Sequence, residues 1–128
     1  MRLLLDTHLL LWAAATPERL SEAALMLMAD PENVLHFSVA SLWEVVIKSS
    51  LGREDFKVDA ARLRRGLTDN GYNELPIVAG HAVEVANLPP LHRDPFDRIL
   101  VAQAKYEGLL LLTADEQVAA YSGPVRLV

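Results

Sequence analysis

The sequence contains no cysteine. That absence excludes disulfides, thiolate metal sites and cysteine nucleophiles, and it agrees with a reducing compartment. Basic residues are in the minority: 12 Lys and Arg against 17 Asp and Glu give a formal net charge of −5. Such a field repels polyanions, so any nucleic acid has to be held by local contacts. Long hydrophobic runs are missing too. The apolar stretch from Leu3 to Ala15 is interrupted by Asp6 and has no basic leader beyond Arg2; it is shorter than the ~20 residues of a membrane span. A cytoplasmic protein without a membrane segment is expected. Repeats, linkers and low-complexity segments are lacking, and 128 residues match the ~100–200 of a single domain, here taken as 1–128.

What is present is an alternation of short apolar runs with helical patterns. Arg2 to Leu5, Val34 to Phe37, Leu109 to Leu112 and Val125 to Val128 read as strands, as does Tyr72 to Val78 with Pro76 confining it to an edge or an end. Between them, Leu9 to Ala15, Glu18 to Ala29, Asp59 to Asp69, Ala79 to Ala86 and Ala114 to Tyr121 read as helices. Ser41-Leu42-Trp43-Glu44 has the Ser-x-x-Glu form of a capping box and is expected to open another, ending near Gly52. The clearest helix starts at Asp94-Pro95, an N-cap followed by the residue preferred at the first helical position, and stops at Gly108. Strands and helices in this order predict a three-layer α/β/α domain around a mainly parallel sheet.

Ligands of open α/β sheets bind beyond the carboxyl ends of the strands, and acids fall there. Asp6 follows the first strand, and Asp115 lies just past Leu112 and Thr113. Glu44 is expected in the first turn of the helix after the second strand, and Asp94 and Asp97 share a face at the start of theirs. Crowded carboxylates repel unless a cation joins them. Oxygen ligands without Cys or a paired His favour Mg²⁺, with Mn²⁺ as a substitute, which suits hydrolytic phosphoryl transfer. Each acid also has a purely structural role open to it. Asp6, Asp94 and Asp115 are possible helix caps, Glu44 the returning arm of a capping box, and Asp97 a complement to the helix dipole.

Asp6-Thr7-His8, Ser41-Leu42-Trp43-Glu44, His92-Arg93-Asp94-Pro95-Phe96-Asp97-Arg98 and Leu112-Thr113-Ala114-Asp115, in this order over essentially the whole chain, resemble PIN-domain ribonucleases, in particular the VapC-like toxin branch of type II toxin–antitoxin systems. The resemblance implies a PIN-like fold and a Mg²⁺- or Mn²⁺-dependent endoribonuclease that leaves a 5′ phosphate. It implies Asp6, Glu44 and Asp97 as core ligands or water-orienting carboxylates, Asp115 as a less constant fourth, and Asp94 ranked below Asp97. Thr7 and Thr113 would orient water or neighbouring carboxylates. A homodimer and a small VapB-like antitoxin that obstructs the site are implied as well. A non-catalytic PIN-like binding protein remains the alternative. Another acidic phosphohydrolase is disfavoured, because a haloacid-dehalogenase-type site needs a second Asp where His8 stands.

Arg93 and Arg98 flank the acidic pair and are candidates for RNA contact or for pairing with those acids. Arg53, Lys57, Arg62, Arg64 and Arg65 form either a solvated face or a phosphate-tracking surface. His8 and His92 adjoin the acids, but isolated histidines are mostly structural. Trp12 and Trp43 are expected in the core or at a partner surface, and the unbroken run Leu25 to Met28 is expected to leave apolar surface for a partner.

Overall fold

The computed structural model describes residues 1–128. Five parallel strands, β1 (Arg2–Leu5), β2 (Val34–Ser38), β3 (Asn73–Leu75), β4 (Leu110–Thr113) and β5 (Val125–Leu127), lie in the order β3-β2-β1-β4-β5. The helices are α1 (Thr7–Ala15), α2 (Glu22–Ala29), α3 (Val39–Ser49), α4 (Ala60–Asp69), α5 (Ala79–Glu84), α6 (Pro95–Glu107) and α7 (Glu116–Ala119). The expected α/β/α layering is present. Strand pleating sends alternate side chains to opposite faces, so Leu3 and Leu5 join Leu9, Leu10, Leu63 and Leu67 in one core while Leu4 joins Leu100, Val101, Leu109 and Leu111 in the other. β1 is therefore buried on both faces. The chain runs outward from β1 through β2 to β3, then returns to β4 and β5, which puts the switch point between β1 and β4.

Several boundaries differ from the sequence reading. α1 begins two residues earlier than expected, because Asp6 itself caps it by accepting from the Leu9 amide at 2.9 Å. The expected Glu18–Ala29 helix is split into a 3-10 turn at Pro17–Arg19 and α2, with Ser21 capping the latter. β3 stops at Leu75, since Pro76 has no N–H for the ladder. The last expected helix is the single turn α7.

The Ser41 capping box is not formed. Ser38, the final residue of β2, is the N-cap of α3 and accepts from the Ala40 amide at 3.0 Å. Ser41 thus lies inside the helix, and Glu44 lies in its second turn rather than its first. The Ser38 hydroxyl also donates to Gln103 Oε1 at 2.6 Å, which fastens this strand-to-helix junction to α6. For α6 the reading holds in detail: Asp94 caps it, Pro95 opens it, and Gly108 closes it at φ 69°, a left-handed conformation that glycine adopts at little cost.

Candidate active site

Two strand ends build the first half of the site. Asp6 leaves β1 almost wholly buried; its Oδ1 caps α1 and its Oδ2 accepts from Thr113 Oγ1, at the end of β4, at 2.6 Å. The Asp115 amide donates to the same threonine oxygen at 3.0 Å, and the Asp115 side chain caps α7 through Gln117 N. Burial pushes the Asp6 carboxyl above the usual carboxylate range; the Thr113 and Leu9 hydrogen bonds and His8 oppose this, and Asp115 adds to it. A cavity of about 450 Å³ opens here, lined by Asp6, Asp115, His8, Trp12 and Arg19 among others.

The second half gathers around Glu44 and Asp97. Thr7 Oγ1 lies 2.7 Å from Glu44 Oε1 and 2.9 Å from Ser41 Oγ. A hydroxyl has one proton and a carboxylate can only accept, so Thr7 donates to Glu44 and receives from Ser41. Lys48, one turn along α3, donates to Glu44 Oε2. Asp97 takes the third position of α6, and its Oδ2 accepts from His92 Nε2 at 2.7 Å. Its carboxyl is pushed up to about 6, chiefly by burial and then by the charges of Asp94 and Glu44, against the hydrogen bond and charge of His92. Asp94 Oδ1 accepts from the amides of Phe96 and Asp97 at 2.8 and 3.2 Å. Trp43, beside Glu44, meets Phe96, beside Asp97, edge to face with ring centroids 5.4 Å apart; the contact ties α3 to α6.

The carboxylates from the four sequence segments therefore reach one edge of the sheet in two groups, Asp6 with Asp115 and Glu44 with Asp97 and Asp94. Thr7, next to Asp6 in sequence and bonded to Glu44, links them. The trio whose ligand atoms lie within 4.8 Å of one another is His92, Asp94 and Asp97. From sequence His92 is open to a structural or a substrate-facing role, and not to that of a ligand; the signal for the latter is its position five residues before Asp97 across a helix N-terminus. Lys48 and His92 partner Glu44 and Asp97, and the crowding is eased only in part, since Asp94 and Glu44 still push the Asp97 carboxyl up.

Arg98 pairs with none of the acids. Its guanidinium donates to the carbonyls of Val85, Pro89 and His92 and to the Tyr121 hydroxyl, at 3.1 to 3.3 Å. That engagement makes it a brace for the 85–92 segment rather than a free contact for RNA. Arg93 is exposed. In the basic stretch, Arg53 pairs with Asp55, Lys57 with Glu54 and Arg64 with Glu74. Leu25 and Met26 are exposed on α2. Trp12 lies under the Arg19 guanidinium and lines a second groove of about 900 Å³ with Leu11, Phe56, Leu63 and Leu67.

Hard oxygen donors, two of them on buried carboxylates steadied by threonine hydroxyls, suit a small divalent cation. A family model described as PIN domain matches residues 3–124. Among solved structures, a chain of VapBC2 from Rickettsia felis, bound to a DNA fragment from its promoter, superimposes with TM-score 0.71 at 14% identity, over 99% of this chain and 98% of that one. A toxin–antitoxin complex from Klebsiella pneumoniae gives TM-score 0.64 at 23% identity, covering 96% and 94%. VapBC-5 from Mycobacterium tuberculosis, of the VapBC family of toxin–antitoxin systems, gives 0.63 at 17%, covering 99% and 97%. No curated protein gives a significant match.

Proposed function

The chain belongs to the PIN domain family, and from that membership we propose that it is a Mg²⁺- or Mn²⁺-dependent endoribonuclease, the toxin of a toxin–antitoxin pair. The observation that carries this reading is the arrival of Asp6, Glu44, Asp97 and Asp115 at one sheet edge, with a threonine hydroxyl fixing each of the two most buried acids. Asp6, Glu44 and Asp97 would hold the cation and Asp115 would support it, while Asp94 serves first as the α6 cap. A divalent cation bound there supplies an activated water and neutralises charge on the phosphodiester. Thr7 and Thr113 keep the Glu44 and Asp6 carboxylates in fixed orientation, and the exposure of Arg93 supports a contact with the phosphate backbone.

The partners follow the same reading. The similar structures from Klebsiella and Mycobacterium are toxin–antitoxin assemblies. The apolar groove between α1 and α4 is of a size for an amphipathic segment of a small antitoxin. Trp43, Val46 and Leu51, exposed along one side of α3 and just beyond its end, offer surface to a second copy. A cytoplasmic location goes with an RNA target; no helix is long and apolar enough to cross a membrane.

The test is cleavage of RNA by the purified protein with Mg²⁺ or Mn²⁺, its arrest by EDTA, and its loss in Asp6→Asn and Asp97→Asn variants that keep the wild-type circular dichroism. Undiminished cleavage by either folded variant overturns the site. The internal partners Lys48 and His92 favour a second reading, a PIN protein that binds RNA without cutting it; binding at saturating Mn²⁺ with no cleavage selects that one.

A further inference from the structure

The acidic edge is not an all-oxygen environment. His92, Asp94 and Asp97 place one imidazole nitrogen and two carboxylate oxygens within 4.8 Å of one another. Nε2 of His92 and Oδ2 of Asp97 stand 2.7 Å apart, and cis donors on an octahedral cation at about 2.1 Å from each lie roughly 3 Å apart. Only a small separation of the two atoms is needed to admit an ion. Asp94 uses Oδ1 for the amides that begin α6, and its other oxygen takes no part in that cap.

The imidazole is held in place by groups outside the trio. The His92 amide donates to the buried Tyr121 hydroxyl at 3.1 Å, and the His92 carbonyl accepts from Arg98 Nη1 at 3.3 Å. Arg98 follows Asp97 directly on α6 and also grips Val85 and Pro89. The helix that presents the Asp97 carboxylate therefore also fixes the backbone of His92, and both side chains are largely shielded from solvent, at 16% and 20% exposure. A donor set of this kind is preorganised rather than assembled from a loose loop.

We propose that His92 Nε2 is a ligand of the divalent cation held at Asp97, and that it shifts the preference of the centre from Mg²⁺ toward Mn²⁺ and later first-row ions. The proposal rests on the metal-centre reading above. Mg²⁺ seeks oxygen donors and gives up water reluctantly, whereas an imidazole nitrogen favours the transition ions. As a ligand Nε2 would present its lone pair to the ion, with the ring proton on Nδ1. The hydrogen bond between His92 and Asp97 would give way to a shared ion.

The experiment uses the full chain and Mn²⁺ alone. Pulsed electron paramagnetic resonance detects nitrogen bound directly to Mn²⁺, and calorimetry compares Mn²⁺ with Mg²⁺ for wild type, His92→Gln and Asp97→Asn. The expected result is a ¹⁴N coupling in wild type, replaced by a ¹⁵N pattern on ¹⁵N-histidine labelling and absent in His92→Gln. The preference for Mn²⁺ over Mg²⁺ falls about tenfold in that variant. Labelling identifies the nitrogen as a histidine's, and His8→Gln, which should keep the coupling, separates His92 from the histidine beside Asp6 even if His92→Gln folds poorly. Mn²⁺ that binds wild type and is lost in Asp97→Asn, but shows no nitrogen coupling, overturns the role of His92 and leaves the metal centre intact. A coupling that persists unchanged in folded His92→Gln overturns it too. Failure of wild type to bind Mn²⁺, or equal binding by Asp97→Asn, overturns this proposal together with the metal-centre reading beneath it.

Discussion

Thr113 donates its hydroxyl proton to Asp6 Oδ2 at 2.6 Å, joining the ends of two neighbouring strands that are 107 residues apart in sequence. The bond satisfies an acid that is nearly inaccessible, and such an acid is costly to leave without a partner. Thr113→Val keeps the shape and removes the donor. It should lower unfolding free energy at pH 7 by about 1–3 kcal/mol in urea titrations, and raise the Asp6 carboxyl further, because one of the influences that oppose burial is gone. Thr113→Ser should restore most of the loss.

Asp97 sets a pH dependence of known sign. Its carboxyl, at about 6 in the folded chain against an ordinary 3.8, binds more protons folded than unfolded between those values. Stability of the metal-free protein from this group therefore falls as pH rises from about 4 to about 6. Asp97→Asn should be more stable than wild type at pH 7 without divalent ions, on the order of 1–2 kcal/mol, and should lose that part of the pH profile in thermal melts. Cation binding demands the ionised form, so affinity measured by calorimetry should weaken as pH drops below about 6.

On the proposed metal reading, Lys48 should compete with a cation for Glu44. Its ammonium holds Oε2 of that carboxylate, and it is itself 40% exposed, so the pair is within reach of salt screening. Lys48→Met should raise Mn²⁺ affinity about three- to tenfold, equivalent to ~0.7–1.4 kcal/mol, and the gain should shrink at high ionic strength. Equal affinity in variant and wild type at low salt counts against the competition.

Arg98→Lys is not conservative here, since an ammonium cannot reach the dispersed acceptors a planar fork spans. Loss of bonds to the Val85, Pro89 and His92 carbonyls should cost about 1–3 kcal/mol. Hydrogen exchange should accelerate in residues 85–94 while β1 and β4 stay protected.

The central strands were legible because they are continuous apolar runs buried on both faces, as Leu3, Leu4 and Leu5 are. α6 was legible because Asp94, Pro95 and Gly108 mark both its ends chemically. Ser41 misled because Ser38 offers the same hydroxyl three residues earlier, and the choice between them is made by tertiary contacts. Ser38 reaches Gln103, and Ser41 is turned to Thr7. The acids could be placed at one edge from topology, but their partners could not. Lys48 and His92 sit four and five residues from their acids, at spacings that many exposed pairs share without touching.

No linker separates β1 from α1 or β2 from α3: the last strand residue, or the one after it, is already the cap of the next helix. The positions of the acids are consequently slaved to the ladder itself. Deleting one residue within Arg2–Leu5 would drag the Asp6 anchor by roughly 3.3 Å or flip every leucine of that strand to the wrong layer, with no slack to absorb the error. Variation in this molecule is tolerable at the outlying turns, and the innermost ribbon has to be inherited whole.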